Sequence, residues 1–238
     1  MKKAVIIVSI LVLVLGNSYA QNSKDTVVDV PEERLVDDIS ITINQTDSTH
    51  IGQSGKNKVE FSSRLIFDKD NIYIVIKFYT KSAAKKWVLT QKFSFKTEIS
   101  AVGGDMQIAD FNNDGFGDMT YVSAEAARGA NEIRRLFAYD KNSNRPVYIK
   151  NSEDYPNLTY NKELDCINAF AYYGCNATVF LKLQGDSLKR LANVELCGNG
   201  ELTVTEYDKY GNKKSEKREI NNEFEMFTPF TNYNPLKQ

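Results

Sequence analysis

Polar and apolar residues alternate one by one along much of this chain. Ile39, Ile41 and Ile43 alternate with Ser40, Thr42 and Asn44, and Ile72, Ile74, Ile76 and Phe78 alternate with Tyr73, Val75, Lys77 and Tyr79. A period of two is the mark of strands that turn one face toward a core. Asp68-Lys-Asp70-Asn71, between the apolar runs Leu65-Ile-Phe67 and Ile72-Tyr-Ile74, has the residue types of a hairpin turn. The pattern continues from Trp87 to Ile99. It predicts further strands at 119–122, 133–139, 147–150, 178–183, 192–196, 202–207 and 213–220, the last two joined by the turn set Asp208-Lys-Tyr-Gly211-Asn212. Only Ala124 to Arg135 has the composition of a helix, and Gly129 in its middle weakens it. The expected fold is therefore all-β, a propeller-like or sandwich arrangement of antiparallel strands with little helix.

The start of the chain follows a different rule. Met1-Lys2-Lys3 precedes an apolar run from Ala4 to Leu15, then small residues at Ser18 and Ala20 before the polar Gln21. That order is expected of a secretory signal peptide over residues 1–20, and the run is shorter than the roughly 20 residues needed to span a bilayer. No membrane span is expected once it is removed. Residues 21–34, mostly polar and containing Pro31, are expected to form a flexible leader, followed by a β section over 35–100 and a second over 101–238.

Removing residues 1–20 takes away two lysines and no acid, leaving 28 basic residues against 31 acidic ones. A net charge of about −3 gives no electrostatic reason to bind nucleic acid or an anionic membrane. Export makes a disulfide plausible among Cys166, Cys175 and Cys197. Cys166 and Cys175, which flank a short segment, are the favoured pair, with Cys175 and Cys197 close behind.

Candidate chemistry concentrates in Asp110-Phe-Asn112-Asn-Asp114-Gly115-Phe116-Gly-Asp118. Ca²⁺ takes about six to eight oxygen ligands, and a short loop supplies them when oxygen-bearing residues recur at every second position. Asp110, Asn112, Asp114 and Asp118 stand at relative positions 1, 3, 5 and 9, Gly115 sits where the chain must turn, and Phe116 can offer its carbonyl while its ring enters the core. Tyr121 occupies position 12, where a helix-flanked calcium loop carries glutamate, so an EF-hand is disfavoured.

The string from Ile108 to Met119 resembles the calcium loop of integrin-type FG-GAP and VCBS repeats, which carry Asp or Asn at the positions of Asp110, Asn112, Asp114 and Asp118. The loop occurs once, which argues against a propeller with one such loop per blade. The wider layout, with its signal peptide, single loop and the segment Ile133-Arg-Arg-Leu-Phe-Ala-Tyr-Asp140, is similar to exported bacterial proteins that include periplasmic immunity-type inhibitors of lysozyme-like effectors. What the resemblance implies is a periplasmic or secreted protein that holds Ca²⁺ and binds another protein, with a cell-wall hydrolase as the implied partner. Ser123, Glu125, Arg128, Asn131 and Glu132, just beyond the loop, are the candidate partner surface.

A catalytic set is harder to assemble. His50, the single histidine, lies in a polar stretch and reads as a solvated residue, and there is no Gly-x-Ser-x-Gly elbow. The carboxylate pairs Asp37 with Asp38, Glu125 with Glu132, and Glu153 with Asp154 would serve a glycosidase only across a cleft, at a separation of about 5 to 9.5 Å. The expectation is a binding protein rather than an enzyme. An exported carbohydrate hydrolase and a calcium-braced envelope structural protein are the alternatives.

Overall fold

A computed structural model describes residues 40–66, 71–98, 105–220 and 227–235. Strands β1 (Ser40–Asp47), β2 (Asn57–Ile66), β3 (Asn71–Lys81) and β4 (Trp87–Glu98) form the first sheet. The second contains β5 (Met106–Ala109), β6 (Asp118–Ala126), β7 (Asn131–Asp140) and β8 (Arg145–Tyr148). The third contains β9 (Leu158–Asn161), β10 (Cys166–Tyr172), β11 (Cys175–Gln184), β12 (Ser187–Cys197), β13 (Glu201–Tyr207) and β14 (Lys213–Ile220). Each is an antiparallel meander in which sequence neighbours pair. The all-β expectation holds, and the architecture is three layered sheets.

Alternation explains the layering. Val59 and Phe61 from β2, Ile72, Ile74, Ile76 and Phe78 from β3, and Phe95 from β4 turn inward onto Met119, Tyr121 and Phe137 of the second sheet. Phe137 is fully buried, and its ring centroid lies 5.0 Å from that of Phe93 and 5.3 Å from that of Tyr148. Leu136 and Ala138, one residue to either side, point the opposite way and pack with Phe111, Ile167, Ala169 and Leu181 against the third sheet. The second sheet is thus covered on both faces. Each large apolar side chain it buries contributes about 1.5–3 kcal/mol, so both interfaces bear on stability.

The outer face of the third sheet carries Phe180, Val194, Leu196, Leu202 and Val204, covered by Phe230 and Tyr233 from the carboxy-terminal segment. Side chains of β11 pin that segment, since Phe230 N–H donates to Thr178 Oγ1 at 2.9 Å and Asn176 Nδ2 to the Thr228 carbonyl at 2.9 Å.

The first and second sheets are also joined by backbone. Gly52 N–H donates to the Gly117 carbonyl at 2.8 Å, in an isolated bridge that brings residues 51 and 52 against 117. Gly117 has no side chain for a physical reason: a Cβ there would lie 1.9 Å from the His50 carbonyl oxygen.

Several sequence expectations need correction. Ala124 to Arg135 is not helical; it is the end of β6, a single 3₁₀ turn at Ala127–Gly129, and the start of β7. The disulfide joins Cys175 to Cys197, which face each other across β11 and β12, while Cys166 is a buried thiol. Residues 1–34, Ile39 and most of the expected turn at 68–71 lie outside the described residues.

Candidate metal centre

The loop from Asp110 to Asp118 connects β5 to β6 at the edge of the middle sheet. Its acidic and amide side chains fold it by accepting its own N–H groups. Asp110 Oδ2 accepts from Gly115 at 2.8 Å and Oδ1 from Asp114 at 3.1 Å, Asn112 Oδ1 accepts from Asp114 at 3.2 Å, and Asp114 Oδ1 accepts from Phe116 at 2.9 Å. Asn113 and Gly115 take the left-handed conformation, with φ of 58° and 84°. Asn and Gly are the residues that reach it at least cost, so the Asn-Asp-Gly sequence specifies this curl.

Asp118 is different in kind. It is fully buried, its Oδ2 accepts the Phe111 N–H at 2.9 Å, and its Oδ1 accepts the Tyr139 N–H at 2.8 Å. One carboxylate therefore ties the loop's start to β7. Burial pushes its pKa up to about 7 in spite of those two hydrogen bonds, and the charges of Asp114 and Asp110 push it the same way. The ring that enters the core is Phe111, at 6% exposure; Phe116 is half-buried, with its ring centroid 5.4 Å from that of Tyr139.

The donor chemistry of the five positions suits a hard cation: three carboxylates, one amide oxygen and one carbonyl. Among the described residues, the only trio of His, Cys, Asp or Glu donor atoms within 4.8 Å of one another is Cys175, Glu195 and Cys197, and its two cysteines are bonded to each other. Asp110 and Asp114 point their oxygens at loop amides.

Past Asp118, β6 and β7 run to a hairpin whose tip, Glu125 to Ala130, is exposed. Ala127, Arg128 and Gly129 all have positive φ, at 50°, 58° and 88°. Non-glycine residues hold such angles only where their surroundings dictate them. The base supplies that constraint. Asn131 donates to the Tyr172 carbonyl at 2.8 Å and accepts its N–H at 2.9 Å. Asn157 accepts the Glu132 N–H at 3.0 Å and donates to the Ala130 and Phe170 carbonyls, both at 2.9 Å. Two asparagines thus clamp the hairpin onto β10 of the third sheet.

The candidate partner surface divides accordingly. Glu125 and Arg128 are exposed near the tip. Ser123 is buried with its hydroxyl on the Ile133 carbonyl, Asn131 is part of the clamp, and Glu132 is held by Arg134 Nε at 2.5 Å. The sequence does not mark Asn157 as part of this clamp. A lone asparagine between strands carries no periodic signal.

Other candidates fall into ordinary roles. The His50 ring is 72% exposed and its Nδ1 lies 2.9 Å from Asp47 Oδ2. Glu125 and Glu132 oppose each other across β6 and β7, and Glu153 is engaged by Arg135 Nε at 2.9 Å. Asp37 and Asp38 lie outside the described residues.

Fold and site together define an all-β protein of three layered sheets, with an acidic loop and a clamped hairpin on its middle sheet. No protein-family model matches the sequence, and no curated protein matches it. Among solved structures it is similar to a Xanthomonas type IV secretion system related protein, at 11% sequence identity and a TM-score of 0.46, over 74% of this chain and 98% of that one. So distant a likeness carries no statement about activity or partner. The Cys175–Cys197 disulfide is compatible with export to an oxidising compartment, and among the described residues no helix is long and apolar enough to cross a membrane.

Proposed function

We propose that this chain is an exported, calcium-braced β protein that binds another protein through the hairpin at Glu125 to Ala130, and that the partner is a peptidoglycan hydrolase of the lysozyme-like class its sequence layout suggests. The observation that carries the reading is the connection made by Asp118. Its carboxylate joins the acidic loop to β7, one of the two strands that present the hairpin. Asp110, Asn112, Asp114, Asp118 and the Phe116 carbonyl would hold Ca²⁺, whose charge would offset the repulsion among three carboxylates. A hairpin with exposed small residues and Arg128 at its turn, fixed at the base by Asn131 and Asn157, suits insertion into a cleft, because little freedom is left to lose on binding.

The test is a thermal melt of residues 21–238 in chelator and in about 2 mM Ca²⁺. With a dissociation constant near 10⁻⁴ M, linkage gives about 1.8 kcal/mol, or a rise of roughly 4 to 7 °C for a domain of this size. Asp114→Ala is expected to abolish the rise while leaving the melt in chelator nearly unchanged. Equal rises in the two proteins would remove the metal from the reading. For the binding half, Arg128→Glu is expected to weaken capture of a lysozyme-like hydrolase at least tenfold in calcium buffer. Unchanged capture would move the interface away from the hairpin.

A further inference from the structure

The face of the first sheet that turns away from the second sheet is unlike the rest of the molecule. Cross-strand register sets it out in rows: Arg64, Tyr73 and Lys96; Ser62, Val75 and Ser94; Glu60, Lys77 and Lys92; Lys58, Tyr79 and Leu89. These rows carry five cations against one carboxylate, on a chain whose formal net charge is −1. The carboxylate is already engaged, since Glu60 meets Lys58 Nζ at 2.5 Å and the Tyr79 hydroxyl at 2.6 Å. The face is concave, with Ser62 and Val75 lining a hollow of about 470 Å³ and Arg64, Tyr73, Lys77 and Lys92 around it.

Lysines are often placed on edge strands to prevent aggregation, and that accounts for Lys92 and Lys96 on β4. It does not account for Lys58, Arg64 or Lys77, which lie on the interior strands β2 and β3. Lys77 stands directly opposite Lys92. A like-charge pair at that spacing destabilises a sheet, and an anion placed between the two removes the penalty.

Among the described residues, β4 has a strand neighbour on one side only, and it exposes Val88 and Leu89 at 49% each beside the cations. An unpaired edge offers N–H and C=O groups that a polypeptide backbone complements and a glycan does not. A second copy of this chain would bring lysine against lysine. We propose that the basic face and the β4 edge of the first sheet dock an extended acidic segment of a partner protein, whose carboxylates meet Lys77 and Lys92 and whose apolar side chains cover Val88 and Leu89. This surface is separate from the hairpin of the second sheet and does not depend on calcium.

The experiment uses residues 21–238 and a fluorescent twelve-residue peptide in which glutamate alternates with valine and tyrosine. Binding is expected in chelator, weakened at least tenfold by Lys77→Glu with Lys92→Glu and about tenfold by raising the salt from 50 to 500 mM. Lys92→Glu alone, at an exposed site, is expected to lose at least threefold while melting like the parent, which covers failure of the double variant to fold. Methylating alternate amide nitrogens of the peptide is expected to cost another tenfold if its backbone pairs with β4. The proposal is overturned by no binding, by equal binding to parent and lysine variants, by binding indifferent to methylation, or by tighter binding of polygalacturonate through the same lysines, which would make the face a reader of anionic glycans. Loss of the calcium-dependent melt leaves this result untouched, so the two readings fail separately.

Discussion

Asp118→Ala is expected to destabilise the protein by about 2–4 kcal/mol in chelator, and in calcium by the lost metal linkage besides, read as a shift in the midpoint of urea unfolding. Two backbone N–H groups, those of Phe111 and Tyr139, lose their acceptor in a buried place, and each such orphan costs about 1–3 kcal/mol. Relief of the buried charge offsets part of this, because a carboxylate held up to about 7 is itself poorly accommodated. The contrast with Asp114→Ala carries the information. Asp114 is half-buried and accepts only from the loop itself, the Phe116 N–H and Asn112 Nδ2, so its loss is expected to matter mainly when calcium is present. If both variants unfold alike in chelator, Asp118 is a ligand and nothing more.

Gly117→Ala should be costly for a reason unrelated to the metal. Its Cβ would lie 1.9 Å from the His50 carbonyl oxygen, so backbone has to give way where the first and second sheets touch. Overpacking of this kind costs about 1–3 kcal/mol, and here it also breaks the Gly52–Gly117 hydrogen bond. Gly198→Ala, with open space around its Cβ position, is the control expected to be near neutral. Chemical denaturation of the two side by side decides the matter; equal stability would mean that the bridge does not hold the sheets together.

Strands such as β3 were legible from alternation, and the doubly buried β6 and β7 from their apolar runs, whereas β9 and β10 were missed. β3 shows clean alternation because one face meets the core and the other meets solvent. β10 is buried along its first four residues, Cys166 to Ala169, on both faces, so its polar and apolar residues follow no period of two. β9 is only four residues long. The alanines at 124, 126, 127 and 130 read as helix formers, but tertiary contacts overrule propensity: Asn131 and Asn157 fix the base of a hairpin. Two arginines, Arg134 and Arg135, were invisible as core residues. They are buried because Asp105, Glu132 and Glu153 neutralise them and the Tyr121 hydroxyl accepts from Arg135.

The loop's residue types were readable, whereas the division of labour within it was not. Spacing places Asp110, Asn112, Asp114 and Asp118 as equals. Their surroundings separate three side chains that curl the loop from one that anchors it to β7. Cysteine pairing failed for a similar reason, since closeness along the chain favoured Cys166 and Cys175. Strand register instead sets Cys175 beside Cys197, and Cys166 faces into the cluster around Phe180.

Because each sheet is built from one continuous stretch of chain, assembly can keep pace with a chain delivered amino terminus first. The first sheet is complete once residue 98 has emerged, without waiting for anything downstream. Short-range pairing of this sort makes few demands on loop closure, and the disulfide, which spans 22 residues within one hairpin, can form as soon as β12 has emerged under oxidising conditions. The middle sheet is the vulnerable interval. Its Leu136 and Ala138 face stays uncovered until β10 and β11 arrive, so the time needed to deliver residues 166–184 sets how long that apolar face is open to aggregation.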